Sequence, residues 1–429
     1  MKVRTATVLV GLPLLFAPLT LGLTHCGDGK APHPYNPGGT PTSVPTVTPD
    51  GSAPSAFYAP KGCPYGFTPP AGTPFTDFAL DDTTAPAAGV GTPIRVRVGL
   101  GGGTTKGQPD YADPTTSAAI LWETSGATTN AKVRYGTDPS SLTSVQAGYV
   151  YTSPPPQVGF GTSDPPGYFH QVDVCGLTPG TTYYYQVGGG ASGSEVWSAT
   201  QSFATVPAAG TKMTVGVFGD ARDTLSTWQL VHQRMRGAAP NLMLVSGDIV
   251  DLGTEESLFA QWLDAIWKDP SDAGGTGFFT LGQFMMIPIA GNHENDSSQF
   301  YGNFAIPGGS GQYAKQFASF DVGNTHFVMV DDQQIAEYAT SDAAAADLAW
   351  LDSDLKAANA DRTAHPFIVV ISHRGLFSTS NHATDFDVIQ ARSTMAPLFD
   401  KYHVDLVMNG HDHEYERTKP ITAGNPPTG

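Results

Sequence analysis

The sequence predicts an all-β sandwich followed by a layered α/β domain. Three observations carry that prediction. Between residues 92 and 206 short apolar-polar alternations are separated by turn residues, as half-buried strands require. From Met213 the rhythm becomes strand then helix, which builds sheets covered by helices. Five clusters rich in Gly, Asp, Asn and His then fall where the predicted strands of the second half end, the edge at which such domains hold ligands.

The chain opens with Lys2 and Arg4 ahead of a largely apolar run, Val8 to Leu23, broken by Pro13 and Pro18. That run is short for a membrane span and wrongly flanked for one, so residues 1–26 read as an export signal. Leu23-Thr24-His25-Cys26 resembles a bacterial lipoprotein cleavage box, with Cys26 as the lipidated residue and His25 where a small residue is usual. The expected location is a cell-envelope lipoprotein, with secretion or the periplasm as the alternative. Residues 27–60 hold recurrent prolines among Gly, Ser and Thr, from Pro32 to Pro54, and read as an extended tether. Residues 61–91 are expected to connect it to the first domain. Besides Cys26 there are Cys63 and Cys175. An exported chain can oxidise that pair, the alternative being two reduced, buried thiols.

The balance of 22 Lys+Arg against 39 Asp+Glu, formally −17, excludes a general nucleic-acid backbone binder. No long amphipathic seam marks a partner protein.

The first domain is expected over 92–207. Its strands are Ile94–Val98, Ala119–Trp122, Lys132–Tyr135, Phe169–Val174, Thr182–Val187 and Gln201–Ala204. Within it, Gly176-Leu177-Thr178-Pro179-Gly180-Thr181-Thr182-Tyr183 resembles the late hairpin of fibronectin type III domains. Gly101 to Gly107 lacks the Gly-Lys-Ser/Thr ending of a phosphate loop and reads as a flexible loop.

The second domain is expected over 211–429. Strands are predicted at Met213–Phe218, Leu242–Val245, Met285–Ile289, His326–Val330, Phe367–Ile371 and Val404–Met408. Helices are predicted at Leu225–Arg236, Ala343–Ala358 and Phe386–Tyr402. The strand-end clusters are Gly219-Asp220-Ala221-Arg222, Gly247-Asp248-Ile249-Val250-Asp251, Gly291-Asn292-His293-Glu294, Ser372-His373 and Gly410-His411-Asp412-His413. Two histidines at i and i+2 on extended backbone point the same way, and imidazole is the commonest side-chain metal ligand. Taken singly, Asp220 or Asp248 could cap a helix and Asn292 could serve a turn. Those roles do not explain why all fall at strand ends.

In order and residue type the five clusters resemble the calcineurin-like metallophosphoesterases. With the fibronectin-like domain in front and Tyr415-Glu416-Arg417 behind, they look like the purple acid phosphatase branch. The resemblance implies a four-layer α/β sandwich and two metal ions that activate a hydroxide for in-line attack on a phosphate ester. It implies Asp248 as the bridge, Asp220 and His413 on the first metal, and Asn292, His373 and His411 on the second. Mixed nitrogen and oxygen donors suit Fe, Zn or Mn better than Ca. His293 matches the substrate-facing histidine of the family. His382 matches the first histidine of the family's Asn-His-His, with Ala383 in place of the second, and is a candidate for leaving-group protonation. His326, inside a strand pattern, reads as structural.

Two positions depart from the family. Asp251 stands where the purple enzymes place an iron-binding tyrosine, so the tyrosinate colour should be absent and Asp251 becomes a short candidate ligand. Arg222 stands where other branches place a histidine and reads as a phosphate clamp or a partner for Asp220 or Asp251. Family members usually continue well beyond Arg417 with strands that finish the second sheet, so the chain is expected to lack that part. The expected activity is an exported phosphomonoesterase on small phosphate esters. The alternatives are a phosphodiesterase or nucleotide phosphohydrolase on the same metals, or a surface binding protein with a degenerate metal site.

Overall fold

The computed structural model describes residues 60, 62–64, 76–80, 91–102, 113–126, 128, 131–152, 167–189, 195–222, 224–267, 281–307 and 316–422. The export signal, Cys26, the tether up to residue 59 and most of the glycine-rich 101–107 loop lie outside these residues.

The first half is all-β. Its strands are β1 (Thr76–Leu80), β2 (Ile94–Leu100), β3 (Ser117–Thr124), β4 (Lys132–Gly136), β5 (Ser144–Ala147), β6 (Tyr149–Thr152), β7 (Tyr168–Cys175), β8 (Thr182–Gly189), β9 (Val196–Trp197) and β10 (Gln201–Ala204). They form two sheets, ordered β1-β6-β7-β3-β2 and β10-β8-β4-β5, with β9 on β8. Every pairing is antiparallel. Residues two apart share a face of a strand. Val96, Val98 and Leu100, with Ile120 and Trp122, therefore meet Tyr183, Tyr185 and Val187 in one buried cluster.

The segment 61–91 is more than a connector. Thr76–Leu80 forms an edge strand on β6, and Cys63 is disulfide-bonded to Cys175 with Cα atoms 5.2 Å apart. The predicted cystine is thus present, and it holds this segment to the end of β7.

The second half alternates as its sequence rhythm requires: β11 (Val215–Phe218), α1 (Leu225–Gly237), β12 (Leu242–Val245), α2 (Glu256–Trp267), β13 (Met286–Pro288), α3 (Ser298–Asn303), β14 (Phe317–Val322), β15 (Thr325–Val330), α4 (Gln333–Glu337), α5 (Asp342–Ala360), β16 (Phe367–Ile371), α6 (Phe386–Lys401) and β17 (Leu406–Met408). Helix α2 and strand β14 were not expected from the sequence. Phe259, Trp262, Leu263 and Ile266 of α2 are all buried, the i, i+3, i+4, i+7 spacing of a core-facing helix. Strands β11-β12-β13 make a parallel sheet, and β14-β15-β16-β17 a second sheet in which β14 alone runs antiparallel. Phe327 and Met329 of β15 join the core with α1 and α2, whereas Val328 and Val330 join the core with α5 and α6. The layers are thus helices, sheet, sheet, helices. Helix α5 starts where the Ser341 hydroxyl accepts the Ala344 N–H at 3.0 Å, a side-chain cap on an otherwise unpaired donor.

The halves share a core and buried polar ties. The Arg97 Nε donates to the Asn303 carbonyl at 2.6 Å, and the Tyr151 hydroxyl to the Gly302 carbonyl at 2.6 Å. His326 is structural, as its strand position suggested. It is buried between Asp321 at 2.9 Å and Asp354 at 3.0 Å. No helix among the described residues is long and apolar enough to cross a membrane.

Candidate metal centre

All five clusters follow the carboxyl ends of strands β11, β12, β13, β16 and β17. Parallel pairing puts those ends at one edge of each sheet, so the loops converge. Backbone hydrogen bonds then sew loop to loop. The Asp220 N–H donates to the Gly247 carbonyl at 3.0 Å, and the Gly410 N–H to the His373 carbonyl at 2.8 Å. The candidate ligands are drawn into the same net. Asp248 Oδ1 accepts the His293 N–H at 3.0 Å, and Asp220 Oδ1 accepts the His411 N–H at 2.9 Å.

This convergence needs unusual backbone. Asp220, Arg222, Asp248, His411 and His413 all have positive φ, between 29° and 72°. Such residues cost stability unless the surroundings over-determine them, and they gather at functional sites. The glycine before two of the ligands is required by close approach. A Cβ on Gly291 would lie 2.2 Å from Asp248 Oδ1, and one on Gly410 2.5 Å from Asp220 Oδ2.

Two donor groups result, each able to hold a metal ion: Asp248 with His373 and His411, and Asp220 with Asp248 and His413. Asp248 is common to both, which is the partition the family resemblance implies. Asn292 adds its Oδ1 to the group of Asp248, His373 and His411, 2.9 Å from His373 Nε2 and 3.0 Å from His411 Nδ1. His373 Nδ1 lies 2.7 Å from the Ser246 carbonyl. That contact orients the ring and leaves Nε2 facing the other donors, the usual arrangement of a ligating histidine. The residues present therefore fit a two-ion site.

The electrostatics are those of a cation cradle. Burial opposes charge on His373, but the Asp248 carboxylate outweighs it and pushes the imidazole up to about 10. Burial and then the His373 charge push His411 down to about 4. Burial would raise Asp248, yet His373 and His293 hold it well below the usual carboxylate range. Asp220 is raised by burial, with Asp248 adding to the shift.

Three further candidates sit at the rim. His293 Nδ1 lies 2.8 Å from the Asp251 carbonyl, and its Nε2 lies 2.5 Å from Arg222 Nη1. Arg222 Nη2 is 3.2 Å from His413 Nε2. His382 lies on a short 3₁₀ turn, Asn381–Thr384, with its ring centroid 4.5 Å from that of His411. The turn is set by Ser380, whose hydroxyl accepts the His382 N–H at 3.1 Å and donates to Asp412. The middle residue of His411-Asp412-His413 thus positions His382.

Asp251 stands apart from the other candidate ligands. It belongs to neither donor group. Its side chain is 62% exposed and lies 3.7 Å from Arg222 and 3.6 Å from His293. The carboxylate faces Arg222 and His293.

Glu294, in the third strand-end cluster, has a role that its sequence pattern does not assign. It is fully buried and accepts the backbone N–H groups of Asp248, Ile249, Val250 and Gly291 at 2.7 to 3.1 Å. Burial, then the Asp248 charge, pushes it up to about 7. A glutamate within a glycine-rich strand end was the available signal.

A family model for the purple acid phosphatase N-terminal domain matches residues 108–205, and one for calcineurin-like phosphoesterase matches residues 213–415. The chain is 28% identical over 318 residues to purple acid phosphatase 15 of Arabidopsis thaliana, covering 68% of this chain and 57% of that protein. It is 26% identical over 332 residues to human acid phosphatase type 7, covering 71% and 68%. The purple acid phosphatase PPD1 from yellow lupin (Lupinus luteus) seeds has a similar fold, with a TM-score of 0.59 at 18% identity over 78% of this chain and 61% of that one. The chain spans 57% and 58% of the length of two Arabidopsis relatives, phosphatases 15 and 23.

Proposed function

We propose, for a chain that belongs to the calcineurin-like phosphoesterases and carries a purple acid phosphatase N-terminal domain in front, that it hydrolyses small phosphate monoesters. The observation that carries the reading is the pair of donor groups sharing Asp248. In this reading Asp220, Asp248 and His413 hold one ion, and Asp248, Asn292, His373 and His411 hold the other. Such ions polarise phosphoryl oxygens and lower the pKa of water. Fe, Zn and Mn suit the mixed donors.

The chain's own residues supply the rest. Arg222 presents two N–H arms at the rim and binds phosphate oxygens as a fork. His293, fixed through its Nδ1 by the Asp251 carbonyl, turns Nε2 to the ester. His382, held by Asp385 at 2.8 Å, gives a proton to the departing oxygen.

We read the first half as fibronectin III-like. Two antiparallel sheets support this, as does the Tyr183 hydroxyl accepting the Thr178 N–H at 2.9 Å, the back-bonded tyrosine typical of such sandwiches. Export, with lipid on Cys26 as membrane attachment, is likewise our reading. The cystine is its structural support.

The test is elemental analysis of the purified chain alongside hydrolysis of a chromogenic phosphate monoester and its diester counterpart, with Zn, Mn or Fe supplied. Two metals per chain with monoester turnover is the expected result. Turnover of the diester alone would move the assignment to phosphodiesters. A chain without metal or turnover would favour a binding protein.

A further inference from the structure

The side chain of Arg222 touches both the phosphate-facing rim and the first donor group. Its Nη2 lies 3.2 Å from His413 Nε2. The same nitrogen lies 3.7 Å from Asp220 Oδ1, a carboxylate of the donor group to which His413 belongs. An imidazole nitrogen has one lone pair in the ring plane. It can accept an N–H from the guanidinium or face a cation, but not both. The guanidinium also stays charged at any physiological pH, so it opposes a dication at its side. The side chain of Arg222 contacts His293, His413 and Asp251; the guanidinium whose charge bears on His411 of the other donor group is that of Arg374, which is held by Asp332, Glu337 and Asp387.

The present partners of Arg222 are a poor match for its five donors. They are the imidazole rings of His293 and His413 and, at 3.7 Å, the exposed Asp251 carboxylate. A phosphate oxygen pair meets the guanidinium fork better than an imidazole does. An anion at the rim therefore draws the guanidinium away from His413 and frees the nitrogen for the metal.

We propose that Arg222 gates the first metal position and couples its loading to the anion. Without phosphate, Arg222 holds His413 and the first ion binds weakly. With phosphate or a phosphate ester present, Arg222 turns to the anion and the first ion binds tightly. By linkage the first ion strengthens phosphate binding by the same factor. The proposal rests on the two-ion reading of the site.

The experiment is equilibrium dialysis of the full chain against Mn²⁺, with and without inorganic phosphate, followed by metal analysis. Wild type should bind in two steps, the weaker tightened about tenfold or more by phosphate. In Arg222→Gln the weaker step should be tight without phosphate, and phosphate should change it by less than about twofold. Arg222→Met, of similar length and uncharged, gives the same comparison should R222Q not fold. A weaker step unchanged by removal of Arg222, with the phosphate response intact, would overturn the gate and leave the two-ion site standing. Absence of Mn²⁺ from wild type and variants alike would instead overturn the two-ion reading, and the gate with it.

Discussion

Glu294 shows how a residue with no part in the chemistry decides whether the site exists. Its two oxygens satisfy four backbone donors on the loops that carry Asp248 and Gly291. Glu294→Ala leaves those buried donors unpaired. We expect it to cost about 3 to 5 kcal/mol of stability and most of the bound metal, read by urea denaturation and elemental analysis. Asp251 makes the opposite case. It lies outside both donor groups, so Asp251→Asn should keep two metals per chain, and loss of one ion would restore Asp251 as a ligand. His382 is separable by leaving group. Its ring touches His411 at the open side of the site. His382→Ala should lower kcat about 100-fold for alkyl phosphates, whose leaving oxygen needs a proton. Aryl phosphates with acidic leaving groups should change far less, and equal losses on both would argue against proton donation.

At the scale of elements, His326 ties strand to strand and strand to helix. It sits on β15 and bonds Asp321 on β14 and Asp354 on α5. Burial alone would lower its pKa, but the two carboxylates raise it from 6.5 to about 9. A raised folded value means that the contribution to stability is full below the unfolded pKa and is lost as pH rises through the folded one. The window is therefore pH 6.5 to about 9, and the contribution is about 3 kcal/mol. His326→Gln should remove the His326 share of that slope, measured as urea midpoints at about pH 6 and about pH 10, while His373, also raised, keeps its own share. A slope unchanged by the substitution would place it on other groups. The elements themselves were largely legible. Leu242–Val245 and Phe367–Ile371 have the bounds their apolar runs mark, because a parallel strand buried on both faces reads as one continuous run. Strand β14 was not picked out, since Ser319 and Asp321 interrupt its apolar residues. They are polar because they serve Asp354 and His326, partners distant in sequence. The backbone around the site was not legible in the same way: Asp248 has a positive φ. Positive φ at non-glycine residues is set by the fold and carries no sequence mark.

Across the whole molecule, one apolar cluster runs from Val96 and Trp122 in the sandwich to Trp262, Ile287 and Ile371 in the α/β layers. Arg97, 3% exposed, crosses the same boundary to Asn303 while pairing with Glu123 at 3.0 Å. Removing either half would expose that surface and leave these buried polar groups without partners, a cost comparable to the stability of a domain. The halves should therefore unfold together, in a single calorimetric transition. The cystine supplies the lever to test this. Cys63 and Cys175 are 112 residues apart, and a cross-link over so long a loop contributes about 4 kcal/mol, mainly by restricting the unfolded chain. It lies entirely in the first half. If the halves were independent, reduction would move only a sandwich transition and leave a second one in place. With a shared core, reduction should lower the one transition of the whole chain, and bound metal should be released at that same lowered temperature. Two transitions, with metal release following the unshifted one, would show that the sandwich and the metal centre stand apart.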